Sequence, residues 1–196
     1  MENVKELSCI FDELRKKYNN FVDYYNDNDM EKLIEEVKKI LNLHDKVFEI
    51  ATALGNTGFI ISLLDLPDNL SGAVACDDSY KEKYGSKRLI QINKNESIKH
   101  QRFTMAHELA HYIFDYDGTS KYYSEYNLLP EKQMDKREKR ANRFAAALLM
   151  PSNDFIHSYK SLEDSGFDRN LILELLSNEF YVSRKAVLLR KEELNI

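Results

Sequence analysis

The sequence predicts an α+β fold, mostly helical with a small three-stranded sheet. Three observations carry that reading. Long stretches place apolar residues at helical spacing, the window from residue 58 to 93 switches to short apolar or alternating runs, and only 6 Gly and 3 Pro in 196 residues leave few breaks. Residues 4 to 18 put Val4, Leu7, Ile10, Phe11, Leu14 and Tyr18 on one helical face, and residues 29 to 41 do the same with Met30, Leu33, Ile34, Val37, Ile40 and Leu41. A third helix is expected from an Asp45 N-cap through Val47, Phe48, Ile50, Ala51 and Leu54, ending at Gly55.

The three strands are expected at Gly58–Leu63, Gly72–Ala75 and Arg88–Asn93. Ser97 then caps a helix reaching about Asp115, and an irregular Tyr-rich loop follows to Leu129. Pro130 opens a helix ending at Leu149, and Pro151 restarts the chain as another. The tail from Leu171 to Lys191 reads as a helix, a turn at Tyr181-Val182 and a Ser183-capped helix, the outline of a helix-turn-helix. The expected division is residues 1–41 as N-terminal helices, 42–160 as the core and 161–196 as a C-terminal helical module.

Composition narrows the class. Hydrophobic residues at 43% and charged residues at 31% exclude collagen-like and disordered chains. No apolar run approaches the roughly 18 residues of a membrane span. The start, MENVKELSCIFDELRKK, has no basic segment leading into an apolar one, so the expectation is a cytoplasmic protein without a membrane partner. Cys9 and Cys76 form neither a disulfide framework nor a CxxC pair and are expected as small reduced apolar residues. A net charge of −5 offers no general attraction for a phosphate backbone.

The segment with chemistry in it is His107-Glu108-Leu109-Ala110-His111. Residues four apart on a helix are separated by roughly 6 Å along the axis on nearly one face, so two imidazoles converge on one ion. Glu108 lies beside that pair, where it can take a proton from water without being a ligand. With 5 His and 18 Glu in the chain, some HExxH arises by chance in roughly 1% of such compositions, so the flanks must decide. They are apolar on most sides (Phe103, Met105, Ala106, Leu109, Ala110, Ile113, Phe114), and a buried imidazole must be paired or ligated.

A catalytic zinc takes three protein ligands and leaves the fourth place open. The extended pattern with a glycine at 114 and a histidine at 117 is excluded by Phe114 and Asp117. A later carboxylate is the alternative. Glu138 shares a helical stripe with Ala141, Asn142, Ala145 and Leu149, whose small residues permit close approach, and Asn142 can accept the N–H of a ligating imidazole. Asp115 and Asp117 are reserve ligands.

The runs Arg102–Tyr112 (RFTMAHELAHY) and Ala141–Pro151 (ANRFAAALLMP), with the preceding Ile92-Asn93, closely resemble the ImmA/IrrE family of cytoplasmic zinc metallopeptidases. The similarity runs from about Asp45 to about Phe155. The resemblance implies a gluzincin core with a zincin-like active-site helix, one zinc ion held by His107, His111 and Glu138, and Glu108 as general base. For many members it also implies cleavage of a helix-turn-helix repressor that controls a prophage, a mobile element or a stress response. The first 40 residues lie outside it and would carry partner specificity or simply pack.

Further expectations follow from a peptidase reading. The oxyanion formed during peptide hydrolysis wants an extra donor, for which Tyr112, Tyr116, Tyr122, Tyr123, Tyr126 and His157 are all candidates. The Tyr-rich loop is either a substrate-binding lid or a folded-down loop with core tyrosines. From Ser161 onward seven acids face five bases, so DNA binding is not favoured, although Arg184, Lys185, Arg190 and Lys191 offer a local patch. The rival reading is a zinc-stabilised protein- or DNA-binding regulatory module that cuts nothing. Glu108 discriminates, because a purely structural site has no use for a carboxylate beside its metal.

Overall fold

A computed structural model describes residues 2–18, 27–118, 121–123, 126–127 and 136–196. Their elements run α1 (Glu2–Tyr18), α2 (Asp27–Leu41), α3 (Ile50–Asn56), β1 (Phe59–Leu64), β2 (Leu70–Asp77), α4 (Tyr80–Tyr84) and β3 (Arg88–Asn93). Then come α5 (Ile98–Phe114), β4 (Lys121–Tyr123), β5 (Tyr126–Asn127), α6 (Lys136–Leu149), α7 (Ser152–Asp164), α8 (Arg169–Glu179) and α9 (Arg184–Glu193). The α+β class holds, and each of the three expected strands is present. The stretch 130–135, where Pro130 was expected to open a helix, lies outside the described residues.

The sheet is mixed. β1 runs parallel to β3, and β2 runs antiparallel to β3 on its other side. Three strands were expected, and two short ones extend them: β4 and β5 both pair antiparallel with the outer edge of β2, through Ala75↔Tyr123 and Leu70↔Asn127. These come from the stretch expected as an irregular loop. β2 is buried along most of its length and its free backbone groups demand partners, a tertiary requirement that the non-alternating local sequence does not announce.

α3 also starts later than expected, at Ile50 rather than after Asp45. Phe48 is the reason: its carbonyl accepts from the buried Arg102 guanidinium, so that oxygen is committed across the fold instead of to a helix turn. α4 was not expected at all and is a single short turn stopped by Gly85 at φ +75°.

α5 is the centre of the molecule. Ser97 caps it by accepting from the His100 amide, and every residue from Arg102 to Phe114 is buried. The sheet covers one flank, where Gly72 permits the approach: a Cβ there would sit 2.6 Å from Thr104 Cγ2 and 2.8 Å from the Gln91 carbonyl oxygen. α1 covers another flank through Phe11, whose ring packs edge-on against Phe59 and Tyr112 at 5.8 and 6.4 Å. α6 covers the third with Ala141, Ala145 and Phe144.

One apolar cluster extends from Phe11 in α1 to Val187 in α9. The tail forms the expected helix, turn and Ser183-capped helix. The basic patch expected on it does not survive intact, because Arg190 is 1% exposed and points inward, donating to the Met150 carbonyl at 2.9 Å and to Ser152 Oγ at 2.7 Å. Among the described residues no helix is long and apolar enough to cross a membrane.

Candidate metal centre

His107 and His111 sit one turn apart on α5, nearly without solvent contact, with their Nε2 atoms 2.9 Å apart. α6 brings Glu138 to the same point, Oε2 at 3.2 Å from His107 Nε2 and Oε1 at 3.3 Å from His111 Nε2. The small residues Ala141 and Ala145 make that approach possible, since a bulkier stripe would hold α6 away from α5. Among the described residues these three are the group of His, Cys, Asp and Glu able to share an ion, their ligating atoms all within 4.8 Å of one another.

The outer hydrogen bonds fix which atoms face the centre. His107 Nδ1 donates to Asn142 Oδ1 at 2.9 Å and His111 Nδ1 donates to Asp115 Oδ2 at 2.6 Å. With Nδ1 engaged outward, each ring leaves Nε2 facing the centre, where its lone pair would bind an ion. Two imidazole nitrogens and a carboxylate at such distances require positive charge among them, a proton on His111 or an ion. A tetrahedral zinc with bonds of about 2.0–2.1 Å sets its ligand atoms roughly 3.3–3.4 Å apart. The observed separations of 2.9, 3.2 and 3.3 Å are compatible with that geometry.

The match to known families spans residues 69–192 and is to the peptidase family described as IrrE N-terminal-like domain. The chain belongs to that family. The matched region begins at β2, later than the expected start near Asp45, and continues through α9, well beyond Phe155. The C-terminal helices are thus part of the family domain, while α1, α2, α3 and β1 precede it. No curated protein matches the sequence.

Protonation in this IrrE-like centre reflects the crowding. Burial pushes His107 down to about 4 despite the pull of Glu138. For His111 burial acts in the same direction, but the bonds to Asp115 and Glu138 outweigh it and hold the ring up at about 9. Burial would raise the Glu138 carboxyl, and the two imidazoles overcome that to hold it at about 2. Glu108 is fully buried next to His107, and its charge is among the groups that raise His111.

The remaining sequence candidates fall elsewhere. Asp115, a reserve ligand in the sequence, turns its carboxylate to His111 Nδ1 and to Arg140, while Asp117 is exposed. Tyr112 is removed as an oxyanion donor: its hydroxyl donates to Asp12 Oδ1 at 2.9 Å, on the α1 side of the helix. Tyr116 is buried with its ring 5.0 Å from the Arg15 guanidinium. His157 is exposed on α7. The backbones of Tyr122, Tyr123 and Tyr126 lie in β4 and β5, and their side chains, with residues 119–120, 124–125 and 128–129 of the proposed lid, lie outside the described residues.

Sequence reasoning missed Arg140. It stands two residues from Glu138 in a run of charges that reads as a solvated surface, and nothing local marks it as the partner of Asp115. The Asp115 role did have a signal, its i+4 spacing from His111, which was read as ligand spacing.

Proposed function

We propose that the chain is a cytoplasmic zinc-dependent metalloendopeptidase that hydrolyses a peptide bond of a protein substrate. A helix-turn-helix repressor of a mobile element, a prophage or a stress response is the substrate class. The observation that carries this reading is the convergence of two imidazole nitrogens and the Glu138 carboxylate, with a further buried carboxylate, Glu108, next to them and outside the group. Membership of the IrrE-like peptidase family supports it.

His107, His111 and Glu138 would hold the ion, and a His/His/carboxylate set favours zinc. Zinc supplies Lewis acidity there, polarising a carbonyl and acidifying water. Glu108 then takes the proton from the attacking water and returns it to the leaving amine, as a general base and acid. Asn142 keeps His107 in the tautomer that faces the centre.

The test uses Glu108→Gln against a helix-turn-helix repressor encoded near this chain. Retained fold and zinc with cleavage lowered by about 10²–10⁴-fold is the expected result. Cleavage equal to wild type would overturn catalysis by this centre, and a wild type that takes up no metal after zinc addition would overturn the site itself.

A further inference from the structure

Asp115 is the C-cap of α5, its amide donating to the His111 carbonyl. An acid at that position faces the negative end of the helix dipole, an unfavourable place for a carboxylate that serves only the helix. Here the two oxygens divide their work. Oδ2 accepts from His111 Nδ1 at 2.6 Å, and Oδ1 accepts from Arg140 Nη2 at 2.5 Å. The Asp115 side chain is only 9% exposed, and the Arg140 guanidinium also lies over the Phe114 ring, 4.6 Å from its centroid. Both partners of the carboxylate are therefore held by packing as well as by charge.

α6 consequently reaches the centre three times. Glu138 approaches both Nε2 atoms, Asn142 accepts from His107, and Arg140 grips the carboxylate that accepts from His111. We propose that Asp115, held in place by Arg140, is a positioning residue for His111, and that this clasp makes metal affinity depend on the seating of α6 against α5. The proposal rests on the metal-site reading above. A short charge-assisted bond to Nδ1 fixes both tautomer and ring angle, which aims the Nε2 lone pair and raises its basicity. The guanidinium fixes the carboxylate in turn, so it does not follow solvent or swing about its own χ angles.

The test is zinc affinity, by competition with a chromophoric chelator, together with thermal unfolding of the metal-free protein. Wild type is compared with Asp115→Ala, Asp115→Asn, Arg140→Gln and the Asp115→Ala/Arg140→Gln double variant. Asp115→Ala should weaken zinc about 10–100-fold, while Asp115→Asn, which keeps an acceptor without the charge, should weaken it less but by at least about threefold. Arg140→Gln should weaken zinc on its own, and the double variant should bind no more weakly than Asp115→Ala, because Arg140 acts through Asp115. Metal-free unfolding temperatures that do not track these losses separate positioning from a fold-holding role.

Zinc affinity in Asp115→Ala within about twofold of wild type overturns the proposal, as does a fully additive double variant. Should Asp115→Ala fail to fold, Asp115→Asn decides by the same twofold criterion. Wild type that binds no zinc brings down the metal reading and this proposal together, an outcome distinct from wild type that binds and variants that bind equally well.

Discussion

Two polar clusters are built on α5 at similar depth, and they differ in how their charges are arranged. On the α1 side, the Tyr112 hydroxyl and the Arg88 guanidinium both donate to Asp12 Oδ1, at 2.9 and 3.0 Å, and the rings of Phe11 and Phe59 close over them. Donor meets acceptor there, as burial requires. On the α6 side, His107 Nε2, His111 Nε2 and the Glu138 carboxylate converge as potential ligand atoms on one point. The first cluster is a set of donor–acceptor pairs within the protein, whereas the second would be satisfied by a cation. The difference lies in what converges: paired donor and acceptor on the α1 side, three possible metal ligands on the α6 side.

Experiments that remove one cluster at a time sharpen this contrast. The largest effect is expected at the metal side. Zinc at about 1,000 times its dissociation constant should stabilise the wild type by about 4 kcal/mol, visible as a raised unfolding temperature, and Glu138→Ala should abolish that rise. An equal rise in Glu138→Ala would break the comparison by placing the metal elsewhere.

Next in size is Phe11→Ala, which empties a fully buried ring site between Phe59 and Tyr112. A loss of about 3–5 kcal/mol in denaturant unfolding is expected, with zinc affinity of the folded protein unchanged. Tyr112→Phe should cost about 1 kcal/mol by removing one donor to Asp12, again without effect on zinc. If either variant weakens zinc tenfold, the two faces of α5 are coupled and the distinction fails.

The smallest effect concerns Cys76, on the same side of the fold. Burial pushes its thiol up from the ordinary value to about 12. In a Cys9→Ser background, iodoacetamide at pH 8.5 should leave the native protein unlabelled and label it once unfolded. The sign for stability follows: the unfolded thiol ionises near pH 9 while the folded one stays neutral, so the contribution is full below that pH and declines as pH rises toward 12. A Cys76→Ala variant should show a smaller decline between pH 9 and 10, before the buried tyrosines Tyr112 and Tyr116 add theirs.

The parts that were legible in the sequence are those set by local spacing. His107 and His111 are four apart, and Glu138 and Asn142 are four apart in a stripe with Ala141 and Ala145. Each pair is brought to the common point from its own helix. The caps at Ser97 and Ser183 were legible for the same reason, since a side-chain oxygen bonds an amide three residues on. Arg140 and Arg190 were not legible. Both carry long flexible side chains whose sequence neighbours suggest solvent, yet one is committed to Asp115 and the other to the Met150 carbonyl.

By itself, then, the sequence determined the helices other than α4, three of the strands, the candidate ligand set and the candidate base, because periodicity, capping and i+4 spacing act over one or two helical turns. The tertiary structure alone decided that β4 and β5 complete the edge of β2, that Tyr112 belongs to the α1 cluster, and that Asp115 serves His111 from outside. Those outcomes depend on contacts between residues far apart in the chain, where a backbone edge, a hydroxyl or a carboxylate takes whichever partner the packing of α1, α5 and α6 places within reach.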